Sequence, residues 1–120
     1  MKTGKSVREP AVAGQFYDSN PESLRRQIEQ MLAVGGSAAA VSGKYVQAVI
    51  VPHAGYVYSG KTVAKALKAA GGFKYKRARV ISPSHSFPFK GLALSSFDAY
   101  RTPLGLIPVD KEMSDEIRGK

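Results

Sequence analysis

The chemistry this chain can offer starts with its two histidines, His53 and His85. Each follows an apolar run punctuated by proline: Val49-Ile50-Val51-Pro52-His53, and Val80-Ile81-Ser82-Pro83-Ser84-His85. Imidazole is a ligand for zinc, copper, iron and nickel, and its titration near neutrality also suits it to general-base work. Two imidazoles are fewer than the three or four protein ligands of a usual metal site. The structural alternative is a pair of loop histidines packed or hydrogen-bonded in place, and spacing alone leaves both readings open.

A second pattern competes for attention. Gly55-Tyr56-Val57-Tyr58-Ser59-Gly60-Lys61-Thr62 matches G-x-x-x-x-G-K-[ST]. In a nucleotide-binding loop the backbone N–H groups and the lysine hold phosphates, and the threonine hydroxyl meets Mg²⁺. Gly55, Gly60, Lys61 and Thr62 are the nucleotide-binding residues on that alternative. Tyr-Val-Tyr is a poor filling for a phosphate nest, which needs unusual backbone angles. Nor does the strand candidate at 78–82 end in the aspartate that would hold the metal.

The elements that must position these residues follow from periodicity. Asn20 is placed to cap a helix with Pro21 in its first position and Glu22 near its positive end. Leu24, Ile28, Met31 and Leu32 recur at helical spacing, and Gly35-Gly36 ends the helix. Residues 37–43 form a small-residue loop. The β-branched run 45–51 reads as a strand buried on both faces at its apolar end, Ala48 to Val51. After Gly60 a second helix reaches about Ala70, with Val63, Ala64 and Leu67 in its apolar stripe, and Gly71-Gly72 stops it. Residues 78–81 read as a second buried strand and 91–96 as a third. An irregular stretch through Thr102-Pro103-Leu104-Gly105 follows. Leu106 to Val109 is a short strand candidate, and Asp110 is placed to cap a last helix. The abrupt end of the chain suggests a fragment.

Two parallel strands joined by a helix make a right-handed βαβ unit, and about 30 residues separate their corresponding points. Both strands then end on one edge of the sheet, the edge where open α/β folds place ligands. Neighbouring strands lie about 4.8 Å apart, so His53 and His85 could meet on one small ion or substrate. The expected fold class is α/β: a βαβ-based, mostly parallel sheet flanked by helices.

Composition bounds the rest. Hydrophobic residues make up 43% of the chain and charged residues 22%, an ordinary globular balance. The absence of cysteine excludes disulfides, thiolate nucleophiles and Cys-ligated zinc. No apolar run approaches a membrane span, and no apolar segment follows the basic residues of the N-terminus, so the chain reads as cytoplasmic. The net charge of +9 raises the prior for an anionic partner, with Lys61, Lys65 and Lys68 on one helix face. No recognition-helix, zinc-finger or aromatic RNA-binding pattern accompanies them. Nucleic acid is therefore disfavoured, and a basic anion- or nucleic-acid-binding module stays as an alternative.

The blocks Arg8-Glu9-Pro10-Ala11-Val12-Ala13-Gly14-Gln15-Phe16-Tyr17, Val51-Pro52-His53-Ala54-Gly55-Tyr56-Val57-Tyr58-Ser59-Gly60, Pro83-Ser84-His85, Leu92-Ala93-Leu94-Ser95-Ser96 and Thr102-Pro103-Leu104-Gly105 with Val109-Asp110 occur in order along nearly the whole chain. Together they resemble the Memo family, also called the AmmeMemoRadiSam system protein B family. The resemblance implies a fold similar to class III extradiol dioxygenases, represented here in truncated form. Residues 9–120 would be the N-terminal part of a single Memo-like domain after a leader at 1–8. It also implies a metal site binding iron or copper, with zinc as a further option, and a redox- or dioxygenase-related role. His53 and His85 would be metal ligands. Tyr56, Ser84 and Ser86 would be substrate-binding or outer residues, Ser86 standing where family members often carry a second histidine. The family's third ligand is a cysteine, which this chain lacks. The expected partners are a metal ion and a small molecule or protein, with self-association through exposed apolar surface and no membrane.

Overall fold

A computed structural model describes residues 4–34, 45–71 and 73–119. Contacts divide the chain into two compact units, one of residues 11–76 and one combining 1–10 with 77–120.

The first unit is built on two helices. Helix α1 runs over Pro21–Val34. Its start is capped as the sequence predicts: Asn20 Oδ1 accepts the Ser23 N–H at 2.9 Å, and its carbonyl accepts the Leu24 N–H at 2.9 Å. Asp18 steadies the cap by accepting the Asn20 N–H at 2.8 Å and the Ser23 hydroxyl at 2.5 Å. Those two bonds, the hydroxyl's first, hold the Asp18 carboxyl below its ordinary pKa. The expected glycine stop at 35–36, the loop at 37–43 and Gly72 lie outside the described residues.

Helix α2 spans Tyr56–Ala70 and packs against α1. It starts earlier than the expected onset after Gly60, because the Phe16 carbonyl accepts the Tyr56 N–H at 2.7 Å and so satisfies a donor the first turn would leave open. Leu24 of α1, only 3% exposed, and Ala64 of α2 form the core of this unit. Gly60 is buried between the helices, and a Cβ there would run into Met31 Sδ. The missing side chain is what permits that approach. Of the apolar stripe expected on α2, Ala64 is buried and Val63 half-buried, while Leu67 is exposed.

The second unit holds a three-stranded mixed sheet in the order β1-β2-β3: β1 over Val7–Arg8, β2 over Ala99–Thr102 and β3 over Gly105–Pro108. Strand β1 runs parallel to β2, with Val7 opposite Ala99, and β3 runs antiparallel to it, with Tyr100 opposite Ile107. The end of the expected leader is thus structured, and Asp98 accepts both the Ser6 N–H (2.8 Å) and its hydroxyl (3.0 Å). Strand β2 replaces part of the stretch read as irregular, and β3 matches the short strand expected at 106–109. Helix α3 follows over Lys111–Arg118, capped by Asp110, whose Oδ1 accepts the Met113 N–H at 3.0 Å. Lys111 Nζ ties this helix to the entry of β2 through the Ser96 carbonyl at 2.8 Å and Asp98 at 3.3 Å.

The α/β class therefore stands, but the βαβ crossover does not form among the described residues. Segments 45–51, 78–81 and 91–96 make no strand there, and the sheet that forms joins other segments. The side chains expected at the centre of a sheet point into solvent: Ile50 is 101% exposed, Val80 90% and Ile81 85%. β-Branched composition reports fitness for a pleated, buried surface; it does not supply the neighbour whose ladder makes the strand. Leaving each such side chain in water forgoes roughly 1.5–3 kcal/mol of burial.

Candidate functional site

His53 sits in the short connection between segment 45–51 and α2, on the rim of a cleft of about 880 Å³ within the first unit. The cleft is mostly apolar, with walls that include Phe16, Ile28, Met31 and Val63, and His53, Tyr56 and Ser59 are among its polar groups. Predominantly apolar walls with a few placed polar groups are the usual make-up of a small-molecule site.

Three contacts fix the connection. The buried Ser59 hydroxyl accepts the Ala54 N–H at 3.1 Å, so the first turn of α2 reaches back to the residue after His53. Gly55 lies so close to Phe16 that a Cβ would stand 3.2 Å from the Phe16 carbonyl oxygen. The Tyr17 and Tyr56 rings meet with centroids 5.7 Å apart, in a tilted arrangement. Burial, and then the neighbouring Tyr17, push the Tyr56 phenol above its ordinary pKa, so it stays a neutral hydrogen-bond donor at physiological pH.

The structure thus brings His53 and Tyr56 to one cleft. His85, Ser84 and Ser86 belong to the second unit, where they form an exposed turn. The Ser84 hydroxyl donates to the Phe87 carbonyl at 2.7 Å and accepts the Phe87 N–H at 3.3 Å, closing that turn around His85. The family resemblance makes Ser84 a substrate-binding or outer residue; in the structure its hydroxyl bonds to the Phe87 backbone across the turn that carries His85. Ser59 was missed as a positioning residue because the loop pattern absorbed it. A serine at the start of a helix, five residues after the backbone N–H it caps, was the available signal.

The phosphate-loop alternative is corrected by α2. Residues 56–59 are helical, and the N–H groups of Tyr58 and Ser59 already bond to the Gly55 carbonyl at 2.9 and 3.0 Å, while that of Tyr56 is taken by Phe16. Amides spent inside a helix cannot line a nest for phosphate. Lys61 and Thr62 are exposed on the helix surface, and Gly60 serves the approach of Met31.

As a metal centre the donor set fits in kind and falls short in number. Imidazole suits a first-row transition ion, yet among the described residues no three His, Cys, Asp or Glu side chains gather where an ion could sit. No described helix is long and apolar enough to cross a membrane.

Comparison with known proteins agrees with the ordered blocks. Residues 8–120 match the family described as Memo-like protein. Protein memo-1 homolog of Caenorhabditis elegans is 35% identical over 96% of this chain and 32% of its own length. A MEMO1 family protein of Methanothermobacter thermautotrophicus is 38% identical over 92% of this chain and 42% of its own length. Protein MEMO1 of Mus musculus is 36% identical over 92% and 36% respectively. The chain spans from 32% to 42% of the length of these relatives. With a family match across all but its first seven residues, the chain belongs to the Memo-like protein family.

Proposed function

We propose that this chain supplies two imidazole ligands, His53 and His85, to a transition-metal site of a Memo-like protein, with iron or copper as the ion and zinc as a further option. The observation that carries this reading is the setting of His53: exposed on the rim of an apolar cleft, in a connection pinned by Ser59 and Phe16, beside a neutral Tyr56 phenol. A ligand next to a hydrogen-bonded connection loses less freedom on binding than one on an unsupported loop. His85 has a matching support in the Ser84 turn. A bound transition ion supplies Lewis acidity and, for iron or copper, redox chemistry. The chain's own residues present imidazole nitrogen, offer a phenol hydrogen-bond donor and surround the cleft with apolar walls. A cytoplasmic setting goes with this reading, since nothing in the cysteine-free chain calls for an oxidising compartment.

Metal content after loading with Fe²⁺, Cu²⁺ or Zn²⁺ and desalting tests the assignment on the chain and on His53→Ala and His85→Ala. Lower content in both variants is expected. Equal content in all three proteins refutes it.

A further inference from the structure

The positive charge of this chain is concentrated. No Asp or Glu occurs between Glu29 and Asp98, while nine Lys and Arg do, so that stretch carries the whole of the net +9. Every ion pair among the described residues lies in the unit of 1–10 and 77–120. In the unit of 11–76, Lys61, Lys65, Lys68, Lys74 and Lys76 are exposed with no carboxylate partner among the described residues. Lys68 Nζ donates to the Leu32 carbonyl at 3.1 Å, which leaves its charge in place.

Lysines alone attract any anion; the rings beside these narrow the choice. Tyr45 packs on Phe73 and on Tyr75 with centroids 5.2 Å away in each case, and Phe73 and Tyr75 stand 6.3 Å apart. The Tyr75 hydroxyl donates to the Val46 carbonyl at 2.7 Å and fixes its ring. Tyr45 is nevertheless 58% exposed and Tyr75 41%. The Phe73 N–H donates to the Ala70 carbonyl at 3.3 Å, tying the cluster to the end of α2, where Lys68 occupies the last turn. Lys74 and Lys76 flank Tyr75 in the chain. The rings come from segments on either side of α2, so the sequence shows no aromatic pattern beside the lysines and the fold supplies one. Fixed, exposed rings among cations are the means by which proteins hold single strands: bases stack on the rings and phosphates meet the lysines. We propose that Tyr45, Phe73 and Tyr75, with Lys68, Lys74 and Lys76, form a binding site for single-stranded nucleic acid.

The test titrates the 120-residue chain, in EDTA so that the metal assignment plays no part, against labelled single strands of about twelve adenosine nucleotides, followed by anisotropy at about 50 mM salt. Ribose and deoxyribose strands form separate arms, and binding of either supports the proposal. A dissociation constant of about 1–100 µM is expected, tighter than for the duplex of the same sequence or for polyphosphate of equal charge. Tyr45→Ala should weaken binding about tenfold or more, because a stacked base is lost, while Tyr45→Phe should keep it. Lys74→Gln combined with Lys76→Gln should flatten the slope of log affinity against log salt by about 1.4, at about 0.7 for each phosphate contact. Where Tyr45→Ala loses its helical circular dichroism, the lysine variant and the preference for single strands over polyphosphate decide instead. No binding up to about 0.5 mM protein, well above the affinity range expected, overturns the proposal. So do equal binding of polyphosphate, duplex or phosphatidylserine vesicles, and a folded Tyr45→Ala variant that binds like the parent protein.

Discussion

Leu24 and Ile50 are both apolar residues that the sequence pattern assigns to buried faces, and the structure gives them opposite fates. Leu24 is 3% exposed between the two helices; Ile50 is 101% exposed. Truncating Leu24 to alanine removes buried methyl groups and leaves a cavity, a loss of about 2–5 kcal/mol. Truncating Ile50 removes atoms already in water, so the change stays within about 0.5 kcal/mol. Small domains hold only about 5–15 kcal/mol in total, so the first substitution consumes a large share of it. With a urea slope of about 1–3 kcal/mol/M, a loss near 3 kcal/mol moves the midpoint down by about 1–3 M, whereas Ile50→Ala moves it by less than about 0.5 M. Circular dichroism at 222 nm follows α1 and α2 through the transition. Loss of the helical signal already without urea in Leu24→Ala counts as the expected direction. An Ile50→Ala variant that falls as far as Leu24→Ala would refute this assignment of the core.

Other expectations follow from single contacts. Asn20→Ala removes the side-chain cap of α1 and should cost about 1 kcal/mol, with Asn20→Gly milder; equal midpoints for the alanine variant and the parent protein would contradict the cap. Gly60→Val should destabilise by about 1–3 kcal/mol through crowding of Met31. Gly60→Ala should be close to neutral, because the flexible thioether can swing aside and alanine favours the helix by about 1 kcal/mol; equal losses in the two would show the contact misread. Asp98, held mainly by the Ser6 backbone N–H, and Asp110, held mainly by the Met113 N–H, both titrate below their ordinary value of 3.8. A carboxyl whose pKa is lower folded than unfolded stabilises above the unfolded value, and that support is lost as the pH falls through the folded value. Thermal stability should therefore drop below about pH 4, and Asp98→Asn should flatten the drop.

What the sequence by itself determined is local or categorical. Asn20 with Pro21, and Asp110 ahead of Lys111, mark their helix starts because a cap is a bond between a side chain and backbone N–H groups two or three residues away. The family was legible too, since ordered blocks such as Pro52-His53-Ala54-Gly55-Tyr56 persist whatever the packing. His53 at the end of an apolar run was legible as a candidate donor. Tertiary structure decided the rest. Segments 45–51 and 78–81 carry strand-forming side chains, yet a strand exists only where another backbone completes its ladder, and among the described residues the ladder joins Val7–Arg8, Ala99–Thr102 and Gly105–Pro108 instead. Gly55 to Thr62 fits a phosphate-loop pattern, but the Phe16 carbonyl starts the helix at Tyr56 and commits those amides to it. Ser59 became the support of the histidine's connection for the same reason: its role depends on where a backbone N–H lies in space, which residue spacing does not encode.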